Sequence, residues 1–236
     1  MYAIFKKEIN SFFSSPIGYL VIALFLIANG LFVWVIENDF NSLNYGFADL
    51  SGYYYLAPWI LLFLIPAITM KSFSEEKKQG TLEILLTTPI TKIQLVLGKF
   101  FGAYTLIILA LAPTLLYIYT IYQLGNPIGN IDLGTTTGAY FGLLCISMTY
   151  CSVGIFTSSI CNNQVVAFIT GVITCFFLYY GFEIISETFK TSIENLGVKY
   201  HFNNISKGII DTRDLIYFFS TTILFIYLTS LTLTKK

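Results

Sequence analysis

Six uncharged, predominantly apolar runs, each 17 to 27 residues long, alternate with short polar segments along the chain. They cover residues 17–36, 54–70, 100–122, 134–160, 165–182 and 215–233. A helix needs about 20 apolar residues to cross a hydrocarbon core of about 30 Å, so each run predicts a membrane span, the second and fifth short and the fourth long enough to tilt or to overhang. Apolar residues follow one another without strict alternation. The spans are therefore expected as helices, which satisfy their own backbone in lipid, rather than barrel strands. The expected fold is an all-α integral membrane protein, with residues 1–236 forming a single transmembrane domain.

The polar segments add detail to that frame. Along residues 1–15, Tyr2, Phe5, Ile9, Phe12 and Phe13 share one side of a 3.6-residue helix, with Lys6, Lys7, Glu8, Asn10, Ser11 and Ser14 on the other. This predicts a helix lying in the membrane surface, anchored by its aromatic face and broken from the first span by Pro16. Such a helix serves either as a hinge element that moves with a transport cycle or as a passive anchor. Residues 71–99 read KSFSEEKKQGTLEILLTTPITKIQLVLGK. Ser72 with Glu75 has the spacing of a capping box, Gly80 breaks the chain, and a short helix from Thr81 runs to Pro89. Thr91 with Gln94 is a second capping box, at the start of the third span. Leu82, Leu85 and Leu86 need something to bury against outside the bilayer, and Glu75, Glu76, Lys77, Lys78 and Glu83 lie beside them. An amphipathic knob of this kind suits docking into a groove on another protein; the alternative is a solvated connection between spans.

Composition agrees with a lipid solvent: 56% of the 236 residues are hydrophobic and 11% charged, where soluble domains average about 25% charged. Formal net charge is zero, which argues against a nucleic-acid partner. Orientation follows from the cations. With both termini in the cytoplasm, the inside holds Lys6, Lys7, Lys71, Lys77, Lys78, Lys92, Lys99, Lys235 and Lys236, nine of the thirteen. The other four, Lys190, Lys199, Lys207 and Arg213, share the outer loop of residues 183–214 with five acids. Tyr53–Tyr55, Tyr117, Tyr119, Tyr122, Tyr179 and Tyr180 fall at span ends near the outer face, as interfacial belts do. Cys145, Cys151, Cys161 and Cys175 have neither a disulfide framework nor a zinc spacing and read as small space-filling residues. Gly138 and Gly142 form a close-packing pair, and Pro66 and Pro113 are expected to kink their helices.

Several kinds of chemistry are poorly supplied. There is no glycine-rich phosphate loop, since the Gly98-Lys99 pair lacks the earlier glycine and is followed by Phe100. His201 is the single histidine, without a repeated ligand pattern, and reads as a structural or surface residue. The six runs contain no Asp, Glu, Lys, Arg or His, which disfavours an ion-coupled carrier without removing it, and a non-transporting membrane assembly component is the third possibility.

Three blocks then carry a resemblance: FKKEINSFFSSPIGYL at residues 5–20, IPAITMKSFSEEKKQGTLEILLTTPITKIQLVLGKF at 65–100, and HFNNISKGIIDTRDLIYF at 201–218. The chain resembles ABC-2-type permeases, and more closely the GldF family of gliding-motility-associated permeases. Glu76, Gly80, Thr81, Glu83 and Pro89 stand in the superfamily's positions, while the last block points to the gliding subgroup. Lys77, Lys78 and Lys207 stand where arginine is common, which keeps the charge but not a bidentate pairing. The resemblance implies a six-span permease of the bacterial inner membrane, a connecting helix on the surface (Phe5, Ile9, Phe12, Phe13, Pro16) and a coupling helix between spans two and three. Coupling to an ATPase would fall to Glu75, Glu76, Lys77, Gly80, Thr81, Leu82, Glu83, Leu86 and Pro89. It also implies cytoplasmic ATPase subunits that bind ATP and Mg in place of this chain, a homodimer or sister permease as partner, surrounding lipid, and transport leaning toward export in support of gliding.

Overall fold

A computed structural model describes residues 1–44, 46, 48–87, 90–190 and 193–233, apart from the side chains of Ile17, Ile84 and Leu86. The regular structure of the described residues is all helix, with no strand among them. Helix α1 (Tyr2–Ser14) precedes α2 (Pro16–Gly30), which one wider π turn carries on to Val35. Ser15 between them is extended, and Pro16 occupies the first turn of α2, where its missing N–H leaves no hydrogen bond broken. Then come α3 (Ser51–Thr69), α4 (Lys71–Lys78), α5 (Thr81–Leu86), α6 (Lys92–Leu111) and α7 (Leu115–Leu124). The long α8 (Leu133–Ile160) leads to α9 (Gln164–Phe176), α10 (Phe182–Phe189), α11 (Val198–Ser206) and α12 (Thr212–Thr232). Joined across their bends, these give six helices long and apolar enough to cross a membrane, beginning at Gly18, Ser51, Lys92, Leu133, Gln164 and Thr212.

The helices overrun the runs that predicted them. The third extends over 33 residues, Lys92–Leu124, about 50 Å at 1.5 Å per residue, so about 10 Å stands beyond the hydrocarbon at each end if it is centred. Pro113 acts as expected, interrupting it with a tight 3-10 turn at Ala112–Thr114. Thr91 and Gln94 form the capping box the sequence predicts. Ser72 and Glu75 do not, because no helix starts there: the second span passes through a bend at Met70 straight into α4. Hydroxyls pin this bend. Ser158 of α8 accepts hydrogen bonds from the Phe73 and Ser74 amides at 3.0 and 3.1 Å and donates to the Met70 carbonyl at 2.8 Å.

Span α8 is the axis of the bundle. Of the residues in its apolar stretch 72% are buried, against 22% for the first and sixth spans, whose remaining surface is apolar and open. Its polar residues mostly bond to their own helix, as Ser147 to Leu143 and Ser152 to Thr149, while Ser159 reaches Thr232 of α12 at 2.8 Å. At the opposite end, Gly138 and Gly142 receive α11 rather than another span. A methyl added at Gly138 would stand 2.4 Å from the Ile205 carbonyl, and one at Gly142 would stand 2.9 Å from the Phe202 ring. Some tyrosines expected at an interface are interior instead. Tyr53 and Tyr54 are buried beside Tyr140, with the Tyr53 hydroxyl 2.9 Å from that of Thr114, and Tyr179 is buried against Trp59. Three of the four cysteines are buried and all four are free.

Helices α10 and α11 with a short turn at Glu194–Leu196 make a folded cap over residues predicted as one polar loop. His201 closes it from inside. Its Nδ1 is 2.6 Å from Asp214 of α12, its Nε2 is 2.8 Å from the Asn195 carbonyl, and its ring stacks on Tyr217 at 3.9 Å. Lys199 pairs with Glu183 at 2.6 Å and lies 4.5 Å from the Tyr180 ring, tying α11 to α10.

Candidate coupling site

At the end of the bundle away from the cap, α1, α4 and α5 enclose a cleft of about 570 Å³ against the start of α6. Local sequence builds each wall. Helix α1 crosses α6 at Gly98 and Gly102, where added methyl groups would stand 2.9 Å from Ile4 and 2.7 Å from the Glu8 side chain. That close approach buries Ile4 and brings Glu8 inward from what sequence periodicity assigns to the polar side. The other wall turns at Gly80, whose φ of +70° favours glycine; nothing lies within 4 Å of an added methyl, so backbone conformation alone restricts this position. Thr81 then fastens the turn by donating to the Glu76 carbonyl at 3.3 Å.

Lys99 holds the walls together. Its side chain is 2% exposed, and its ammonium meets three acceptors: Glu8 of α1 at 2.9 Å, Glu76 of α4 at 2.8 Å, and the Ser72 carbonyl at 2.6 Å. An ammonium has three N–H donors, so its capacity is filled. The Phe73 ring lies 5.0 Å away as a further cation contact. Lys7 approaches the same Glu76 oxygen at 3.6 Å, while the second Glu76 oxygen is buried and has no hydrogen-bond partner among the described residues. Losing one member of such a buried set typically costs about 3–5 kcal/mol, because the partner charge is left uncompensated.

The residues predicted for coupling are distributed around this cleft. Glu75 and Glu76 are half-buried and line it together with Thr81. Lys77 points instead to α8, donating to the Ser159 carbonyl. Leu82 is buried and Glu83 exposed on the first turn of α5. Leu86 closes that helix, and Pro89 lies outside the described residues. Of the anchor residues, Phe5, Ile9, Phe12 and Phe13 are half-buried and Phe12 lines the cleft; Pro16 is exposed. Sequence reasoning passed over Lys99, Glu8 and the Gly98–Gly102 pair. The four-residue spacing of those glycines, with a lone lysine between them at the edge of an apolar run, is the signal that marks a close helix crossing over a charge.

Fold and cleft together define a polytopic helical membrane protein with a charged recess at one end of its bundle. The chain belongs to the ABC-2 family of transporter proteins, whose sequence profile matches residues 2–233. Permease subunits of this family are the membrane components of their transporters, and ATP hydrolysis resides in a separate subunit. Among curated relatives, the probable multidrug ABC transporter permease YbhR of Escherichia coli K12 is 28% identical over 152 residues, as is its counterpart in Escherichia coli O157:H7. The match takes in 60% of this chain and spans 38% of the length of those relatives.

Proposed function

We propose that this chain is the membrane-spanning permease subunit of an ATP-driven transporter, and that the cleft between α1 and the α4–α5 knob receives a cytoplasmic ATPase subunit. Nucleotide-driven closure of two attached ATPases then moves two permeases, identical or sister chains, against each other across the bacterial inner membrane. One observation carries the reading: a knob outside the apolar spans is braced to three other helices by buried ions and hydroxyls, so a push on it is delivered to the bundle. The excess of cations at this end supports a cytoplasmic location for it. Family membership supports an ATPase neighbour, since the chain has no phosphate loop of its own.

Export in support of gliding motility is the finer proposal, resting on the resemblance of residues 201–218 to gliding-associated permeases. The likeness to a probable multidrug permease of Escherichia coli favours a second cargo class, drug molecules. Reconstitution with a partner ATPase subunit tests the function. The expected result is flux that requires ATP and falls to background with Glu83→Arg combined with Gly80→Val, while membrane insertion persists. Flux that follows an ion gradient without the ATPase would make the chain a carrier, and stable complexes with no flux would make it an assembly component.

A further inference from the structure

The Lys99 cluster suggests how the cleft behaves when it is pushed. Residues of α1 and α4 are far apart in sequence, and Ser15 alone separates α1 from α2. Such a connection leaves α1 free to swing as a hinge unless something else holds it. Apolar contacts alone permit sliding, because one methyl replaces another at small loss. A buried ammonium with its three donors committed to Glu8, Glu76 and the Ser72 carbonyl does not. Displacing α1 relative to α4 breaks the Glu8–Lys99 pair and leaves one of the three donors of a 2%-exposed ammonium without its acceptor.

We infer that the Glu8–Lys99–Glu76 cluster locks α1 and the α4–α5 knob into one body, so that the surface helix follows the knob through the transport cycle instead of hinging against it. Lys99 is the positioning residue: 2% exposed at the base of the cleft, it acts by fixing the angle between the two walls. This rests on the ATP-driven reading above. It adds that the motion at the receiving face is that of a rigid wedge, and that α1 is driven by the knob. The Gly98–Gly102 crossing supplies the proximity, and the ions supply the resistance to sliding.

Pairwise spin-label distances in the reconstituted complex with the ATPase test it. Labels replace exposed residues outside the cleft, Tyr2 on α1, Lys78 on α4 and Tyr119 on α7, in a background lacking the four native cysteines. On trapping the nucleotide-bound state, the Tyr2–Tyr119 and Lys78–Tyr119 distances are expected to shift together while Tyr2–Lys78 keeps its mean and width. In Lys99→Met the Tyr2–Lys78 distribution broadens and the shift at Tyr2 is lost; in Lys99→Arg both are retained. Since Lys99→Met leaves two carboxylates facing each other, the triple variant Glu8→Gln, Lys99→Met, Glu76→Gln guards against simple misfolding. It carries no buried charge, and Tyr2 is again expected to stop following Lys78. A Tyr2 label that still follows Lys78 in the triple variant, or a native Tyr2–Lys78 distance that changes with nucleotide, overturns the inference alone. If neither label moves against Tyr119, the ATP-driven reading falls and this inference with it.

Discussion

At Lys99, a single side chain does what no run of apolar residues can: it specifies an angle between helices. Three acceptors at 2.6 to 2.9 Å leave the ammonium no equivalent second arrangement. Lys99→Met is expected to destabilise the protein by about 3–5 kcal/mol, read as a lowered thermal midpoint in detergent, with Lys99→Arg far milder because the charge stays. A different mechanism acts at Gly80, where φ is +70° and an added methyl meets nothing. Gly80→Ala should therefore cost only about 1–2 kcal/mol, all of it backbone strain. That would appear as weaker co-purification of the ATPase, with expression and insertion unchanged. Gly80 was legible in the sequence as a break after a charged stretch. Lys99 carried only a weak local mark, the glycines four apart around it, and its pairing was not legible because its partners are 91 and 23 residues away.

Among the helices, α8 decides most of the arrangement. Ser158 near one end caps the bend at Met70, and Gly138 near the other accepts the cap helix α11. Ser158→Ala removes the hydroxyl that accepts from two buried amides and should cost about 1–3 kcal/mol, visible as faster hydrogen exchange confined to the first turn of α4. Gly138→Val pushes on the Ile205 backbone, which cannot swing aside as a ring can. The expected result is displacement of α11, loss of protection across Val198–Ser206, and destabilisation of about 1–3 kcal/mol. The existence of each span was legible because an uncharged run of that length has no other stable solvent. Helix ends were not. The runs stop at the first charge, whereas helices continue past the hydrocarbon wherever hydrogen bonding and tertiary partners allow, as at Lys92 and through Met70. Spacing alone also misread Ser72 and Glu75 as a start signal. A capping box needs a free helix terminus, and here the preceding turn was already helical.

For the molecule as a whole, orientation is the most consequential expectation, and cysteine labelling checks it. Glu83→Cys in the knob should react with a membrane-impermeant maleimide only when the cytoplasmic side is opened, and Asn203→Cys in the cap only from the outer side. The reverse pattern would remove any cytoplasmic ATPase from the cleft. What the sequence by itself determined was the solvent and the repeat: six apolar helices in lipid, a short amphipathic knob between the second and third, and the family to which they belong. The spans and the knob follow from local physics, since transfer of a residue into hydrocarbon depends on that residue and its near neighbours, while the family rests on the likeness of whole blocks of sequence. Tertiary structure alone decided that Glu8 turns inward, that Lys99 is buried, that the glycines of α8 hold a cap, and that His201 ties this cap to α12. Each of these depends on two distant segments meeting at ångström range, where a buried charge or a missing methyl acquires its energy only from what lies opposite.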